Sequence, residues 1–343
     1  MLSKTRRIDC HEILNTEVDG LSDLKNQTVV ITGGTGFIGS WLIEMIIALN
    51  EDYGFNINVY IISTQKSDTS YALKLFSDKE NINFIQKDIR NLLELPRETT
   101  YIIHAAANPD NRIHISNPIE TMSIISDGTK RVLEVASECP NLKKVINLSS
   151  GNIYGKLSKY VNEKDMGFLD CGSILSVYPE SKRFAETLST SYQSLFKLPI
   201  VTVRPFSFIG PYMSLNKPWA INNFIRDAML SNRIKILGDG QTVRSYMYPS
   251  DMAHWLLRFL VSGKPGKAYN LGSSYGITLE QLANEIVKIM NKNINIDILN
   301  MSQSDSIFVP DTKLAEETLS LTLKVPIDFA LKRTIEWNMN KSD

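Results

Sequence analysis

Tyr178 and Lys182 stand four residues apart in YPESK, where a helical run, SKRFAETLSTSYQSLF, begins. An i,i+4 spacing on a helix puts both side chains on one face. A tyrosine ordinarily titrates near about 10 and is a poor base at neutral pH. A neighbouring ammonium would favour its phenolate, which makes Tyr178 a credible acid/base for a substrate hydroxyl. Upstream, KKVINLSSGNIYG places Ser149 and Ser150 at the end of an apolar strand, the edge at which open α/β sheets bind ligands. A hydroxyl there can hydrogen-bond the reacting oxygen and hold it against the phenol. YxxxK and serine pairs are each commonplace; what makes them specific is their order after a dinucleotide loop.

That loop is VVITGGTGFIG at 29–39, with Gly33, Gly36 and Gly39 spaced as GxxGxxG between an apolar strand and an amphipathic helix. Backbone must approach a pyrophosphate closely at such a turn, and the helix start supplies free N–H groups and a partial positive charge. Gly33, Gly36, Phe37, Ile38 and Gly39 are the expected cofactor contacts. No Lys-Ser/Thr pair follows the glycines, so a nucleoside-triphosphate loop is excluded. The carboxylate that would hold the adenosine ribose belongs at the end of the second strand, but NVYIIS runs instead into Ser63, Thr64, Gln65 and Lys66. Nothing there repels a 2′-phosphate and Lys66 could attract one, so NAD and NADP are both admitted, with Ser63 at the contact position. Asp88, after the third strand, has two readings: it accepts from the adenine amine with Ile89 on the ring, or it caps the next helix.

These groups need a frame, and the pattern supplies one. From Thr28 the chain alternates apolar runs (TVVITG, NVYIIS, INFIQKDI, YIIHAAA, KKVINLSS) with helical stretches. That alternation predicts a doubly wound α/β fold: a parallel sheet with helices on both faces. Residues 1–27 read as a helical extension, 28–210 as the dinucleotide-binding domain carrying the catalytic set, and 211–343 as a smaller lobe, with the chain crossing between lobes. The 343 residues are 43% hydrophobic and 22% charged, enough for a sizeable core. Thirty-seven Lys plus Arg cancel thirty-seven Asp plus Glu, which leaves no basic field for nucleic acid or an anionic membrane. The apolar run WLIEMIIAL is short and carries Glu44, and MLSKTRRIDCHE has no apolar run behind it, so neither a span nor a signal peptide is expected. Cys10, Cys139 and Cys171 lack CxxC spacing, which points to a reducing cytoplasm. His11, His114 and His254 are scattered, so no metal site is expected, and His104 reads as a strand-end core residue. Core packing is likewise the reading for Trp219, Phe224 and Trp255.

The motifs TGGTGFIG, HAAA at 104–107, SSGNIYG at 149–155, YPESK at 178–182, RPFSFIGPY at 204–212 and GDGQTVRSYMYPSD at 238–251 cover nearly the whole chain from residue 28. On them the chain resembles the extended short-chain dehydrogenase/reductase family, the nucleotide-sugar epimerases and dehydratases with a Rossmann sheet. The resemblance implies Ser150, Tyr178 and Lys182 as the catalytic triad, with Lys182 also on the nicotinamide ribose and Ala105 and Ala107 lining the cofactor. It implies Asn223 and Arg244 at the substrate diphosphate, an Arg fork being suited to that role. Ile236 falls where the family packs its nucleotide base, and Ser207 where it customarily has an Asn. A homodimer through the helices at 119–139 and 178–196 is a further implication. Family dehydratases carry an Asp-Glu pair directly after the catalytic Ser/Thr, and decarboxylases a Glu at the second position. Gly151 and Asn152 stand here, so 4-epimerisation through a transient ketone is expected, with ketoreduction or oxidation at the same carbon as the alternative.

Overall fold

The computed structural model describes residues 2–65, 76, 79–301 and 306–340. The first strands are β1 (Thr28–Thr32), β2 (Asn58–Ser63), β3 (Ile82–Gln86), β4 (Tyr101–His104), β5 (Lys144–Leu148) and β6 (Ile200–Pro205). After β7 (Arg233–Ile236) and β8 (Val243–Arg244), strand β9 (Ala268–Leu271) returns to join them. Together they make a seven-stranded sheet in the order β3-β2-β1-β4-β5-β6-β9, every pair parallel. This is the doubly wound Rossmann arrangement that the alternating pattern predicts.

Ten helices clothe the sheet: α1 (Leu2–Glu17), α2 (Phe37–Tyr53), α3 (Asn111–Ser116), α4 (Pro118–Ser137), α5 (Val177–Phe196), α6 (Ala220–Leu230), α7 (Pro249–Ser262), α8 (Leu279–Met290), α9 (Lys313–Leu319) and α10 (Ile327–Met339), counted among the described residues. Successive side chains of a strand point to opposite faces, and β1 shows both in use. Val30 packs with Ile102, Val145 and the Val132–Leu133 stretch of α4, whereas Val29 and Ile31 pack with Trp41 and Ile46 of α2 and Trp255 of α7. Burial on both sides explains why β1 and β5 read as continuous apolar runs.

The N-terminal extension is part of this body. Buried Arg6 of α1 pairs with Glu44 of α2 at 2.9 Å and lies 4.2 Å from the Tyr212 ring centroid. Asp9 accepts from the Tyr248 hydroxyl at 2.5 Å and from Arg333 of α10. Two short sheets lie outside the seven-stranded one. In one, β10 (Ile277–Thr278) and β12 (Ile307–Phe308) flank β8; in the other, β11 (Asn295–Ile298) pairs with β7. A capping box of Thr278 and Gln281 starts α8. Both α7 and β9 belong with the large sheet.

Candidate active site

Strand order reverses between β1 and β4, which opens a crevice at the carboxyl ends of those strands. Gly33 sits at its floor with φ +68°, and a Cβ there would lie 2.8 Å from the Ala105 carbonyl oxygen, so neither backbone angle nor space admits another residue. At Gly39 a Cβ would come 2.2 Å from the Gly34 oxygen, the close helix-to-turn contact the third glycine serves. Gly36 differs. A Cβ there would meet only the Gly33 oxygen at 3.4 Å, and as N-cap of α2 it offers no side-chain hydrogen bond. A clear face and free N–H groups at a helix start fit a pyrophosphate. Phe37 stacks on Phe208 with centroids 6.2 Å apart, and Ile38 packs against the core beside it.

At the far end of the crevice a hollow of about 130 Å3 is lined by Thr35, Ile61, Ser63, Gln65, Phe84, Ile85 and Gln86. The Ser63 hydroxyl lies 2.9 Å from that of Thr35. Among the described residues no carboxylate lines this hollow; Lys66, invoked above for a 2′-phosphate, lies outside the described residues. Of the two readings of Asp88, capping is the one the geometry displays. Its carboxylate accepts from the Arg90 N–H at 2.9 Å and from the Arg90 guanidinium, which also reaches Glu120. Ile89 is turned under α4 against Gly128. The Gly33 backbone lies against the Ala105–Ala106 backbone, and the turn continues with Ala107 N–H donating to the Ala105 carbonyl at 2.9 Å.

The catalytic set converges at the ends of β5 and α5. Ser150 caps the short turn Gly151–Tyr154, its Oγ accepting from the Asn152 N–H at 3.1 Å. Tyr178 is 7% exposed and packs on Ala107, Ile125 and Ala185. Burial raises its phenol above the usual tyrosine range, and the Ser150 hydroxyl pulls in the opposite direction. The Lys182 ammonium donates to the Leu148 carbonyl at 2.7 Å and stands 5.9 Å from the Tyr178 ring centroid. Burial depresses it to about 8, against the charge of Glu186. An ammonium held this close to a buried phenol favours its phenolate. Ser149 is also buried, its hydroxyl without a partner. His104 bonds Thr32 at 2.8 Å and Thr129 at 3.1 Å, and burial lowers it to about 3, a neutral core residue under the site.

Beside Tyr178 opens a cleft of about 210 Å3 lined by Asn111, His114, Asn152, Gly155, Leu169, Leu175, Tyr178, Pro179 and Phe308. Parallel pairing of β12 with β8 sets Phe308 opposite Arg244, whose guanidinium lies 5.9 Å from the Phe308 ring and donates to the Val243 and Ser306 carbonyls. Burial lowers the Arg244 pKa, and no carboxylate pairs with it among the described residues, so it can receive an anion. Asn223 Oδ1 accepts from Arg226 at 2.9 Å, and Ser207 is tied through its carbonyl to Met247. Ile236 is 1% exposed in the core, while its neighbour Leu237 is 63% exposed. Phe224 and Trp255 are core, as their types suggested. His114, Phe206 and Phe308 are the residues sequence reasoning missed; no local spacing marks them.

Crevice and cleft meet at Tyr178, which packs on Ala107 and lines the cleft. The NAD dependent epimerase/dehydratase family matches residues 29–272, and the chain belongs to it. It is 30% identical to the dTDP-D-glucose 4,6-dehydratase of Homo sapiens over 325 residues, 90% of this chain and 89% of that one. It is 25% identical to UDP-glucuronic acid decarboxylase 1 of Xenopus tropicalis, over 92% of this chain and 73% of that one. In three dimensions it matches UDP-glucuronic acid 4-epimerase from Bacillus cereus, solved with UDP-glucuronic acid and NAD. That match has a TM-score of 0.79 and 23% identity, over 92% of this chain and 100% of that one. Among the described residues no helix is long and apolar enough to cross a membrane, and no three His, Cys, Asp or Glu are grouped to hold a metal.

Proposed function

We propose that the chain modifies a nucleotide-linked sugar with NAD and that its reaction is 4-epimerisation through a transient 4-keto sugar. One observation carries the choice among the reactions its relatives perform. Ser150, Tyr178 and Lys182 converge, yet the two residues after Ser150 are Gly151 and Asn152, and the space a side chain at 151 would need is filled. A Cβ there would lie 2.9 Å from Phe308 Cζ and 3.0 Å from Phe206 Cζ. Eliminating water across C5 and C6 requires a base at one carbon and an acid at the other. Neither a glycine nor an amide can serve.

The dinucleotide held by Gly33, Gly36, Gly39, Ser63, Ala105 and Ala107 supplies, when bound, the hydride acceptor and donor for the sugar carbon. Tyr178 takes the hydroxyl proton and returns it, Ser150 holds the same oxygen, and the Lys182 ammonium stabilises the phenolate. Arg244 serves the substrate diphosphate, with Asn223 and Ser207 at its margin. A ketoreductase or dehydrogenase that uses NADP is the second reading, favoured by the hollow at Ser63 and Gln65, which no carboxylate lines among the described residues. We expect a homodimer through α4 and α5, whose Ile119, Met122 and Phe184 are exposed, and we place it in the cytoplasm, where its three free cysteines persist.

The test is incubation with UDP-, dTDP-, GDP- and CDP-sugars, followed by mass spectrometry and NMR of the product. An epimer keeps the substrate mass and forms without added reductant. A product lighter by one water overturns the reading, and a stoichiometric demand for NADPH transfers it to the reductase.

A further inference from the structure

His114 lies flat on the ring of Tyr178, with centroids 4.2 Å apart and planes 4° from parallel. The two side chains come from different elements, α3 and α5, and both line the cleft. The imidazole is itself pinned, because its Nε2 lies 2.7 Å from the Asn108 carbonyl. A carbonyl only accepts, so Nε2 carries the proton and that nitrogen is occupied. Asn108 follows directly on the turn of Ala105 and Ala107 that lies against Gly33. Burial lowers the His114 pKa, and the Lys182 charge acts in the same sense while Asp110 opposes it.

From this we infer that His114 is a positioning residue: its flat face fixes the rotation of the Tyr178 ring and ties that ring to the turn lining the cofactor crevice. Tyrosine χ2 is a broad torsion with no sharply preferred value, so the rotamer alone does not aim the plane of the phenol. Ala107, Ile125 and Ala185 pack on the ring, but none of them is planar. A parallel plate is what holds a ring in one plane. Misplacing a reacting group by about 1 Å can cost about 10²-fold in rate, which makes such a plate a kinetic device rather than a binding one. The inference rests on Tyr178 being the proton carrier, as proposed above, and does not depend on which sugar is turned over.

Two variants separate a flat face from a ring nitrogen and from bulk. His114→Leu fills the space without a plane; His114→Phe keeps the plane without nitrogens. Melting temperatures and NAD binding establish that both are folded. The first readout needs no sugar: in NAD-loaded protein carrying ε-13C tyrosine, the Tyr178 signals are assigned by their loss in Tyr178→Phe. Wild type and His114→Phe should give two resolved ε signals from a ring held in place, and His114→Leu one averaged signal. The second readout uses the nucleotide sugar that wild type converts in the panel. His114→Leu should lower kcat by about 10- to 100-fold with KM within about threefold, and His114→Phe should recover kcat to within about fivefold of wild type. Resolved signals with wild-type kcat in His114→Leu overturn the inference. So does a His114→Phe variant as slow as His114→Leu, which would give the role to a nitrogen. Failure of the epimerase reading would show instead in the wild-type product, with the ring readout untouched.

Discussion

The cofactor crevice and the sugar-side cleft meet at Tyr178 yet are built by different means. Backbone makes the crevice: three glycines, a helix start and a turn of alanines, gathered mostly from one strand-turn-helix unit. Side chains make the cleft: Asn111 and His114 from α3, Asn152 after β5, Tyr178 from α5 and Phe308 from β12. Substitutions in the crevice should therefore act through space and backbone angle. Those in the cleft should act through charge, proton transfer and packing. The junction between them is where one residue answers to both.

Tyr178→Phe gives the largest expected effect. It should lose about 10² to 10⁴ in kcat, the usual contribution of a general acid/base, while titration with NAD shows unchanged affinity. A folded variant with near wild-type turnover would remove Tyr178 from the mechanism and sever the two regions. The glycines come next, and they sharpen the contrast. Gly39→Ala drives a Cβ to 2.2 Å from the Gly34 oxygen, and overpacking of that kind costs about 1–3 kcal/mol or more, so its melting temperature should fall. Gly36→Ala has room for its Cβ and should melt like wild type while binding NAD poorly. Equal melting and equal NAD affinity in both would show that the clear face at Gly36 is not the pyrophosphate seat.

Arg244→Ala should be milder. Losing a charge-assisted hydrogen bond is worth about 1.5–3 kcal/mol, or roughly tenfold or more in nucleotide-sugar Kd, with NAD affinity unaltered. If calorimetry shows the cofactor site weakened instead, the division of labour fails. The smallest effect concerns pH. Lys182 is depressed to about 8 by burial, so its ammonium is lost as pH rises past that value. Lys182 and Tyr178 titrate as a pair, and kcat should show an alkaline limb with an apparent pKa near about 8. Stability moves the other way. The unfolded lysine titrates near about 10.4, so between about pH 8 and 10 the unfolded state binds more protons and the contribution of Lys182 to stability grows. An alkaline limb unmoved in Lys182→Arg, whose charge persists, would assign the limb to another group.

Much of this was legible in the chain itself, because it depends on local rules. Apolar runs alternating with helical periods imply a parallel sheet, and the glycine spacing implies a tight approach that Gly33 and Gly39 display in their steric surroundings. Tyr178 and Lys182 share a face because a helix repeats every 3.6 residues, and Ser150 lies two residues beyond the end of β5, where the apolar run has stopped. Other features needed the folded molecule. Ile236 and Leu237 are neighbours of opposite fate, and a strand's period of two lets a single step exchange core for surface. The Asp88–Arg90–Glu120 cluster likewise needed the fold, since Glu120 comes from a different element. His114 and Phe308 carry no motif, since they reach the site by pairings across 64 residues in each case, Tyr178 being that far from His114 and Phe308 from Arg244. Sequence determined the parts whose geometry follows from backbone periodicity and sterics. Tertiary structure decided which distant side chains meet, because that depends on how separate elements pack and no local spacing encodes it.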